Sequence, residues 1–302
     1  MRPPLHFRGC VWRGAEVGVG VTSVLVITLT ALSFSSPALA SPPHPPKFSA
    51  KAVLILHNKT GKALVAKRAN AQRAIASLTK LQVALVLRRR GLDLKKGTTI
   101  TRADHKVALR GSRSRLELKW VYRNSDLLHA SLMSSDNRAT SALGRSVKLS
   151  ANGLVQAMNE LARRQGLHST VFKGPVGIDH GNKSTCWEVS RIARQAAKDR
   201  VLRGVMSTHD FNVKPLKGYL RIYYRNTNPL VGKTSGVKFL ASKTGYNDEA
   251  GYCIAFVAKV RRLGEVTVVL LGSKSKVTRI YDARHALNWL KRGGRALLKT
   301  VP

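Results

Sequence analysis

The chain has 302 residues with 53 lysines and arginines against 15 aspartates and glutamates, a formal net charge of +38 that calls for an anionic partner. Aromatic residues are only 6% of the total and the basic ones are scattered rather than gathered in one tract, which argues against nucleic acid. The three cysteines, Cys10, Cys186 and Cys253, are too few for a disulfide framework.

Residues 1–40 read as a secretory signal peptide. Arg2, Arg8 and Arg13 precede an apolar run from Val17 to about Leu32, and Ser35-Ser36-Pro37-Ala38-Leu39-Ala40 ends in a small-x-small cleavage pattern. The run is short of the roughly 20 residues that an uncleaved membrane anchor needs. Cleavage after Ala40 removes three arginines and Glu16, leaving 262 residues with 50 basic and 14 acidic side chains, a charge of +36. That length suits one large domain or two intimate lobes. An exported protein, soluble in the periplasm or cell envelope, would meet anionic envelope polymers or lipid head groups; the alternative is a generally basic surface without a specific partner. Cys186 and Cys253 are expected as free, buried thiols, and neither has a histidine at a telling spacing.

Ser41-Pro42-Pro43-His44-Pro45-Pro46 opens a stiff, extended linker over 41–50, outside the core. The domain proper is expected over 51–290. Ala52 to Leu56 and Ala63 to Ala66 read as strands of a hairpin joined at Asn58-Lys59-Thr60-Gly61. A helix is predicted from near Ser77 through an apolar block to Arg88-Arg89-Arg90, with Gly91 in the C′ place. Gly97 to Thr101 reads as a brief strand, and Arg110 to Arg115 as a solvated loop. About 102–210 is read as a helical lobe. In it Ser125 caps a helix ending at Ser134-Ser135-Asp136-Asn137, and a second helix starts there toward Leu143. Ser150 caps Leu154 to Arg164, with Gly166 as the stop, and Thr185-Cys186-Trp187-Glu188 is a capping box opening a helix to about Arg200. Phe211 to Ser235 carries no clear pattern. Val237 to Ser242, Tyr252 to Val260 and Val266 to Leu271 form an antiparallel meander, Ile280 to Leu290 a closing helix, and 291–302 a basic tail. The expected fold class is α/β in the α+β sense: an antiparallel sheet built from N- and C-terminal strands, flanked by helices, with an inserted all-helical lobe and a cleft at the sheet edge. From Gly245 only 57 residues remain, enough for two strands and a helix but not for a further β-domain.

Ser77 and Lys80 lie three apart, so at a helix start the Lys80 amine can sit beside the Ser77 hydroxyl while first-turn N–H groups stay unpaired. A nucleophile, a base and anion-stabilising donors then share one turn. The spacing alone is weak, since Ser235 to Lys238 and Ser273 to Lys276 repeat it. Two further motifs follow in order, Ser135-Asp136-Asn137 at a turn between helices and Lys243-Thr244-Gly245 on a strand near the sheet edge. Their look-alikes, Ser150-Ala151-Asn152 and Lys59-Thr60-Gly61, fall at a helix cap and a hairpin turn. The ordered triple resembles the penicillin-recognising serine acyltransferases, which include penicillin-binding proteins and active-site serine β-lactamases. Within that class the chain is similar to the low-molecular-mass D-alanyl-D-alanine peptidases, especially their endopeptidase branch. The similarity is carried by Ile75 to Leu81, Leu132 to Ala139, Tyr224-Arg225-Asn226-Thr227-Asn228, and Ser242 to Asn247 with Ala250-Gly251. It departs in lacking a proline shortly before Ile75, and in Asp136, where the endopeptidase branch often has glutamate and class A β-lactamases have aspartate.

The resemblance implies an exported peptidase that opens peptidoglycan cross-links or trims stem-peptide termini through an acyl-enzyme, is acylated by β-lactam antibiotics, and needs no cofactor. It implies Ser77 as nucleophile, Lys80 as neutral base, and Ser135 as the relay that returns a proton to the leaving amine. Asn137, Lys243, Thr244, Gly245 and Tyr246 would bind substrate. The backbone N–H groups of Ser77 and Tyr246 would form the oxyanion hole; a neutral Lys80 requires a pKa lowered by burial or by a neighbouring cation, which Lys243 would supply while steering a substrate carboxylate. Two other readings stay open: a serine β-lactamase, for which Glu160 and Glu188 lack the loop context of a deacylating glutamate, and a non-catalytic, basic envelope-binding protein of the same fold. Taken alone, Ser135 and Asn137 are equally helix caps, and Lys243 a solvated strand residue. No histidine pair shows H-E-x-x-H spacing, so no metal site is expected. Gly232-Lys233-Thr234 has Thr227 where a phosphate loop needs its first glycine, so ATP binding is rejected.

Overall fold

The structure is a computed structural model that describes residues 43–109 and 111–298. The signal-peptide reading and the last residues of the basic tail lie outside them. Strands β1 (Ala52–His57) and β2 (Ala63–Lys67) form the expected hairpin. The two-residue β3 (Arg73–Ala74) leads into a 3-10 turn, Ala76–Leu78, and helix α1 (Thr79–Arg89). Next come β4 (Gly97–Thr99), α2 (Arg102–Ala108), β5 (Val121–Arg123), α3 (Asn124–Met133), α4 (Asn137–Ser146) and α5 (Ala151–Arg164). They are followed by β6 (Lys183–Ser184), α6 (Cys186–Lys198), α7 (Arg200–Ser207), β7 (Asp210–Val213) and β8 (Ile222–Arg225). The chain closes with β9 (Val237–Asn247), β10 (Gly251–Val260), β11 (Gly264–Ser273) and α8 (Lys276–Gly293).

The main sheet has the order β2-β1-β11-β10-β9, antiparallel throughout, so N- and C-terminal strands meet at β1 and β11 as expected. Each strand alternates its side chains between two faces. On one face Val53, Ile55, Phe256, Val268 and Leu270 pack with Ala283, Leu287 and Leu290 of α8. On the other, Leu54, Leu56, Ala255 and Leu271 join a larger core with α1 and the inserted helices. Helix α1 is buried from Thr79 to Leu87, which fits its run of apolar residues without a polar stripe. The insert also carries two short ladders, β4 with β5 and β7 with β8.

Local differences from the sequence reading have identifiable causes. Helix α3 starts at Asn124 rather than after Ser125, because the Asn124 side chain is held by Thr98 Oγ1 and Asp93 O. Helix α6 stops at Lys198, where Asp199 turns extended and accepts the N–H groups of Val201 and Leu202 to cap α7. Thr185 caps α6, but the Glu188 carboxylate turns away to Ser169 N and Thr170 Oγ1 instead of closing the box. The segment without a pattern, Phe211 to Ser235, holds the β7–β8 hairpin, whose four-residue strands are too short to declare a period. The linker expectation fails for Pro43 to Ala50, which docks on α8. Trp289 Nε1 donates to Pro43 O at 2.6 Å, and the buried Asp282 carboxylate accepts Ser49 Oγ at 2.7 Å and Ala50 N at 3.0 Å. A buried indole N–H and a buried carboxylate both need partners, and this segment supplies them. Gly294–Leu298 likewise forms a 3-10 turn with Leu297 buried, where a basic tail was expected. Cys186 and Cys253 are buried and unbridged, and burial raises their thiols to about 12 and about 11.

Phe256 stacks edge-on against Phe239 at 5.4 Å in the layer beneath α8. Phe256→Ala is expected to destabilise the protein by about 3–5 kcal/mol in urea unfolding; a loss below about 1 kcal/mol would show that this layer carries little of the fold.

Candidate active site

The three motifs converge at the start of α1. Ser77 lies in the 3-10 turn, and the Lys80 side chain, completely buried, points back beneath it. Lys80 Nζ donates to Ser77 Oγ at 3.0 Å, Asn137 Oδ1 at 2.8 Å and Val176 O at 2.5 Å. Three acceptors complete the coordination of an ammonium group. The surroundings are nonetheless too dry to hold its charge firmly: burial lowers the Lys80 pKa to about 7, against an opposing pull from the Asp136 carboxylate.

Two glycines grip the nucleophile turn. A Cβ on Gly245 of β9 would lie 2.9 Å from Ile75 O and 3.0 Å from Ser77 N. A Cβ on Gly177, whose φ is +84°, would lie 2.4 Å from Ala76 O. Ala76 has a φ of +45° and Ser135 a φ of +65°, left-handed conformations that cost an L-residue about 1–2 kcal/mol and persist where the surroundings over-determine them. The result places the backbone of β9 against the amide of Ser77, beside the cleft.

Ser135 Oγ is buried and has no hydrogen-bond partner among the described residues. It therefore does not bond Lys80 or Lys243, and its hydroxyl is uncommitted. Asn137 begins α4, with its Oδ1 on Lys80; the capping role falls instead to Asp136, which accepts Ala139 N at 3.0 Å. The Asp136 carboxylate also accepts Ser114 Oγ and Tyr224 Oη, the latter at 2.9 Å. Burial and this carboxylate push the Tyr224 hydroxyl up, and the Arg115 guanidinium lies 4.4 Å over its ring. Gly111, Ser112, Arg113 and Arg115 are exposed, as a solvated loop requires, and the exception is the buried Ser114, whose hydroxyl ties the loop to the second motif.

Lys243 is almost fully buried and donates to Thr244 O at 2.9 Å. Burial first, then the charges of Lys80 and Arg279, hold its pKa well below the ordinary ammonium range. Of the two causes expected to lower Lys80, burial is therefore the one at work and Lys243 is not a fixed cation, the repulsion between the two amines favouring only one proton at a time. Thr244 Oγ1 donates to Thr227 Oγ1 at 2.7 Å, and Thr227 Oγ1 donates to Met133 O at 3.0 Å, which couples the third motif to the second. Tyr246 is half exposed, stacks on Tyr252 and donates its hydroxyl to Asp248 at 2.8 Å.

Several supporting residues escaped sequence reasoning. Arg279 of α8 donates to Gly245 O at 3.2 Å and Cys253 O at 3.4 Å, behind the third motif. Asn182 donates to Thr79 Oγ1 and Gly174 O and accepts the N–H groups of Lys173 and Gly174, fixing the 173–182 loop to α1. The Gly174-Pro175-Val176-Gly177 cluster was the available sign of a tight loop; Asn182 and Arg279 gave none. A cleft of about 960 Å³ opens over Ser77, lined also by Gly111, Asn137, Gly177, Asp179 and Tyr246. No glutamate among the described residues lines it: Glu188 is committed at α6, and Glu160 pairs with Arg164 on the surface. Among the described residues no cluster of side chains suits a metal ion.

The sheet with its helical insert, and the order in which the motifs reach the cleft, are those of the penicillin-recognising serine enzymes. Residues 39–275 match the D-alanyl-D-alanine carboxypeptidase family of peptidases. A D-alanyl-D-alanine endopeptidase of Pseudomonas aeruginosa is 30% identical over 87% of this chain and 84% of its own. The D-alanyl-D-alanine carboxypeptidase DacF of Bacillus subtilis is 28% identical over 77% of this chain and 61% of its own. The crystal structure of the Streptomyces K15 DD-transpeptidase superposes with a TM-score of 0.74 at 28% identity, over 82% of this chain and 98% of that one. The chain belongs to the D-alanyl-D-alanine carboxypeptidase family of serine peptidases.

If neutral Lys80 limits acylation, the rate of adduct formation with labelled penicillin rises with pH through about 7, roughly tenfold between pH 6 and pH 8, and then levels; a flat profile would remove Lys80 deprotonation from the rate. Gly177→Ala, which forces a Cβ onto Ala76 O, is expected to slow acylation about 100-fold, whereas wild-type rates would show that the turn tolerates the shift.

Proposed function

We propose that this protein is an exported serine peptidase that hydrolyses D-alanyl peptide bonds of peptidoglycan, with cross-links as the favoured substrate and stem-peptide termini as the alternative. The observation that carries the reading is the buried amine of Lys80, which reaches both Ser77 Oγ and Asn137 Oδ1 beside a glycine of the Lys243-Thr244-Gly245 strand. The preference for cross-links is supported by the endopeptidase at 30% identity. Export is supported by the leader-like residues 1–40.

In the proposed cycle neutral Lys80 takes the Ser77 hydroxyl proton as Oγ attacks the carbonyl of the D-alanyl bond. The oxyanion is held by the N–H groups of Ser77 and Tyr246, each worth roughly 3 kcal/mol by precedent. The C–N bond breaks as the proton passes from Lys80, by way of the uncommitted Ser135 hydroxyl, to the leaving amine. Water then attacks the ester, gives a proton to Lys80, and the carboxylate product leaves as Ser77 regains its hydrogen. Asn137, Thr244, Gly245 and Tyr246 position the peptide, Arg279 contributes positive potential from behind the third motif, and Lys243 adds to it when it holds the one proton that the two amines share. A β-lactam would enter the same cycle at the acylation step. The lack of a glutamate in the cleft favours a long-lived penicilloyl ester over β-lactamase turnover. The charge of the chain fits a wall of anionic polymers.

Incubation of the protein with purified muropeptide monomers and dimers, resolved by mass, is expected to convert dimers to monomers, with Ser77→Ala inactive by more than about 1000-fold. Full activity of Ser77→Ala would refute the mechanism, and release of D-alanine from monomers alone would assign the enzyme to stem termini.

A further inference from the structure

The positive charge is not spread evenly over two large hollows of the surface. Among the described residues, the cleft over Ser77 has one lysine, Lys173, at its edge against two carboxylates, Asp179 and Asp248. A second hollow of about 990 Å³ is lined by Lys59, Arg191, Arg194, Lys198, Arg203 and Lys259, with Arg295 at one end and Glu265 as its only carboxylate. It shares Lys59, Lys259 and Arg295 with an adjoining hollow of about 700 Å³ that adds Lys238, Arg261 and Arg262. The two form one trough with ten cations and a single acid among the described residues. None of these ten side chains forms an ion pair with a described residue.

The trough is built by defined elements. The β1–β2 turn brings Lys59, the β10–β11 turn brings Arg261 and Arg262, and α6 lays Arg191, Arg194 and Lys198 along one side at helical spacing. Arg194 Nε is buried yet has no partner, and burial together with the Arg191 charge lowers the Arg194 pKa. Such repulsion is unfavourable unless an anion occupies the space between the charges. Lys238 and Tyr246 lie on the same strand eight residues apart, so the trough is roughly 25 Å from the cleft along β9. The two sites share no lining residue and can be filled together.

We propose that this trough binds a linear phosphodiester polymer of the cell envelope and so holds the peptidase on the wall while its cleft works on peptide. Guanidinium groups dominate the trough, and their planar fork matches phosphate oxygens better than it matches solvent. A repeating phosphodiester presents its charges in a row, as a trough requires. Single-stranded nucleic acid would need stacking platforms, and among the described residues no Phe, Tyr or Trp lines either hollow, while the ring of His57 is buried. The proposal rests on the envelope location argued above for the source of the polymer, not for the existence of the site.

The test measures binding of poly(glycerol phosphate) to the full mature protein at several salt concentrations. The fourfold variant Arg191→Gln, Arg194→Gln, Arg203→Gln, Lys259→Gln is compared with a control that removes the same charge at exposed positions elsewhere, Arg123→Gln, Lys148→Gln, Lys217→Gln, Arg221→Gln. The trough variant is expected to bind at least about tenfold more weakly and to lose part of the salt dependence, and the control to change less than about twofold. Equal losses in the two variants would reduce the effect to net charge and overturn the site. Equal affinity for poly(glutamate) would overturn the phosphate assignment, and tighter binding of a DNA oligomer of matched charge would overturn the envelope polymer as ligand. Penicillin acylation at the wild-type rate in both variants confirms their folding. A protein that binds the polymer but is never acylated would defeat the peptidase reading and leave the trough standing.

Discussion

The site depends on a lysine amine kept out of water. A solvated lysine is an ammonium at neutral pH, of no use as a base, and removing it from solvent is the means this fold uses to change that. Lowering the Lys80 pKa from 10.5 to about 7 corresponds to roughly 5 kcal/mol against the charged form. The desolvation is supplied by the packing of α1, buried on every side between the sheet and the inserted helices. Its remaining polar needs are met by three acceptors from three separate segments, Ser77, Asn137 and Val176. Core packing and chemistry are therefore the same arrangement seen twice.

A second constraint follows from the first. An amine with few neighbours must have each of them in place, so the surrounding segments are cross-tied rather than free. Asp136 gathers α4, the 111–116 loop and β8. Asn182 fastens the 173–182 loop to α1, and Arg279 holds β9 from behind. Gly177 and Gly245 close on the Ala76–Ser77 backbone from two sides, and the left-handed Ala76 is the strain stored by that closure. The unspent hydroxyl of Ser135 keeps its hydrogen-bonding capacity in reserve within this network.

The sheet, its strand membership and most helices were legible in the sequence, because hydrophobic period and cap residues are local. Ser150 and Thr185 cap the helices they were expected to cap. Apolar runs such as Val266 to Leu271 also became strands. What was hidden was set by partners distant in the chain. Pro43 to Ala50 reads as a linker until Asp282 and Trp289, more than 200 positions later, are seen to need its polar groups. Ser114 reads as part of a solvated loop until Asp136, 22 positions later, is seen to take its hydroxyl. The motif order pointed to Ser77, Lys80, Ser135, Asn137 and Lys243, yet the 173–182 loop that completes the Lys80 contacts matches no motif, since it contributes backbone carbonyls and glycine gaps. Charge was the least legible property: a net value does not tell that the catalytic cleft is nearly neutral at its rim while the far end of the sheet gathers the cations.

The account stands or falls on the protonation of one side chain. Titration of the protein labelled with carbon-13 at the lysine ε positions, with Lys80 assigned by comparison with Lys80→Met, reads it directly by NMR. A Lys80 resonance that titrates with a midpoint near pH 7 is the predicted result. A midpoint near the ordinary lysine value of about 10.4 would contradict it, leaving a permanent ammonium beneath Ser77 and no base to activate it.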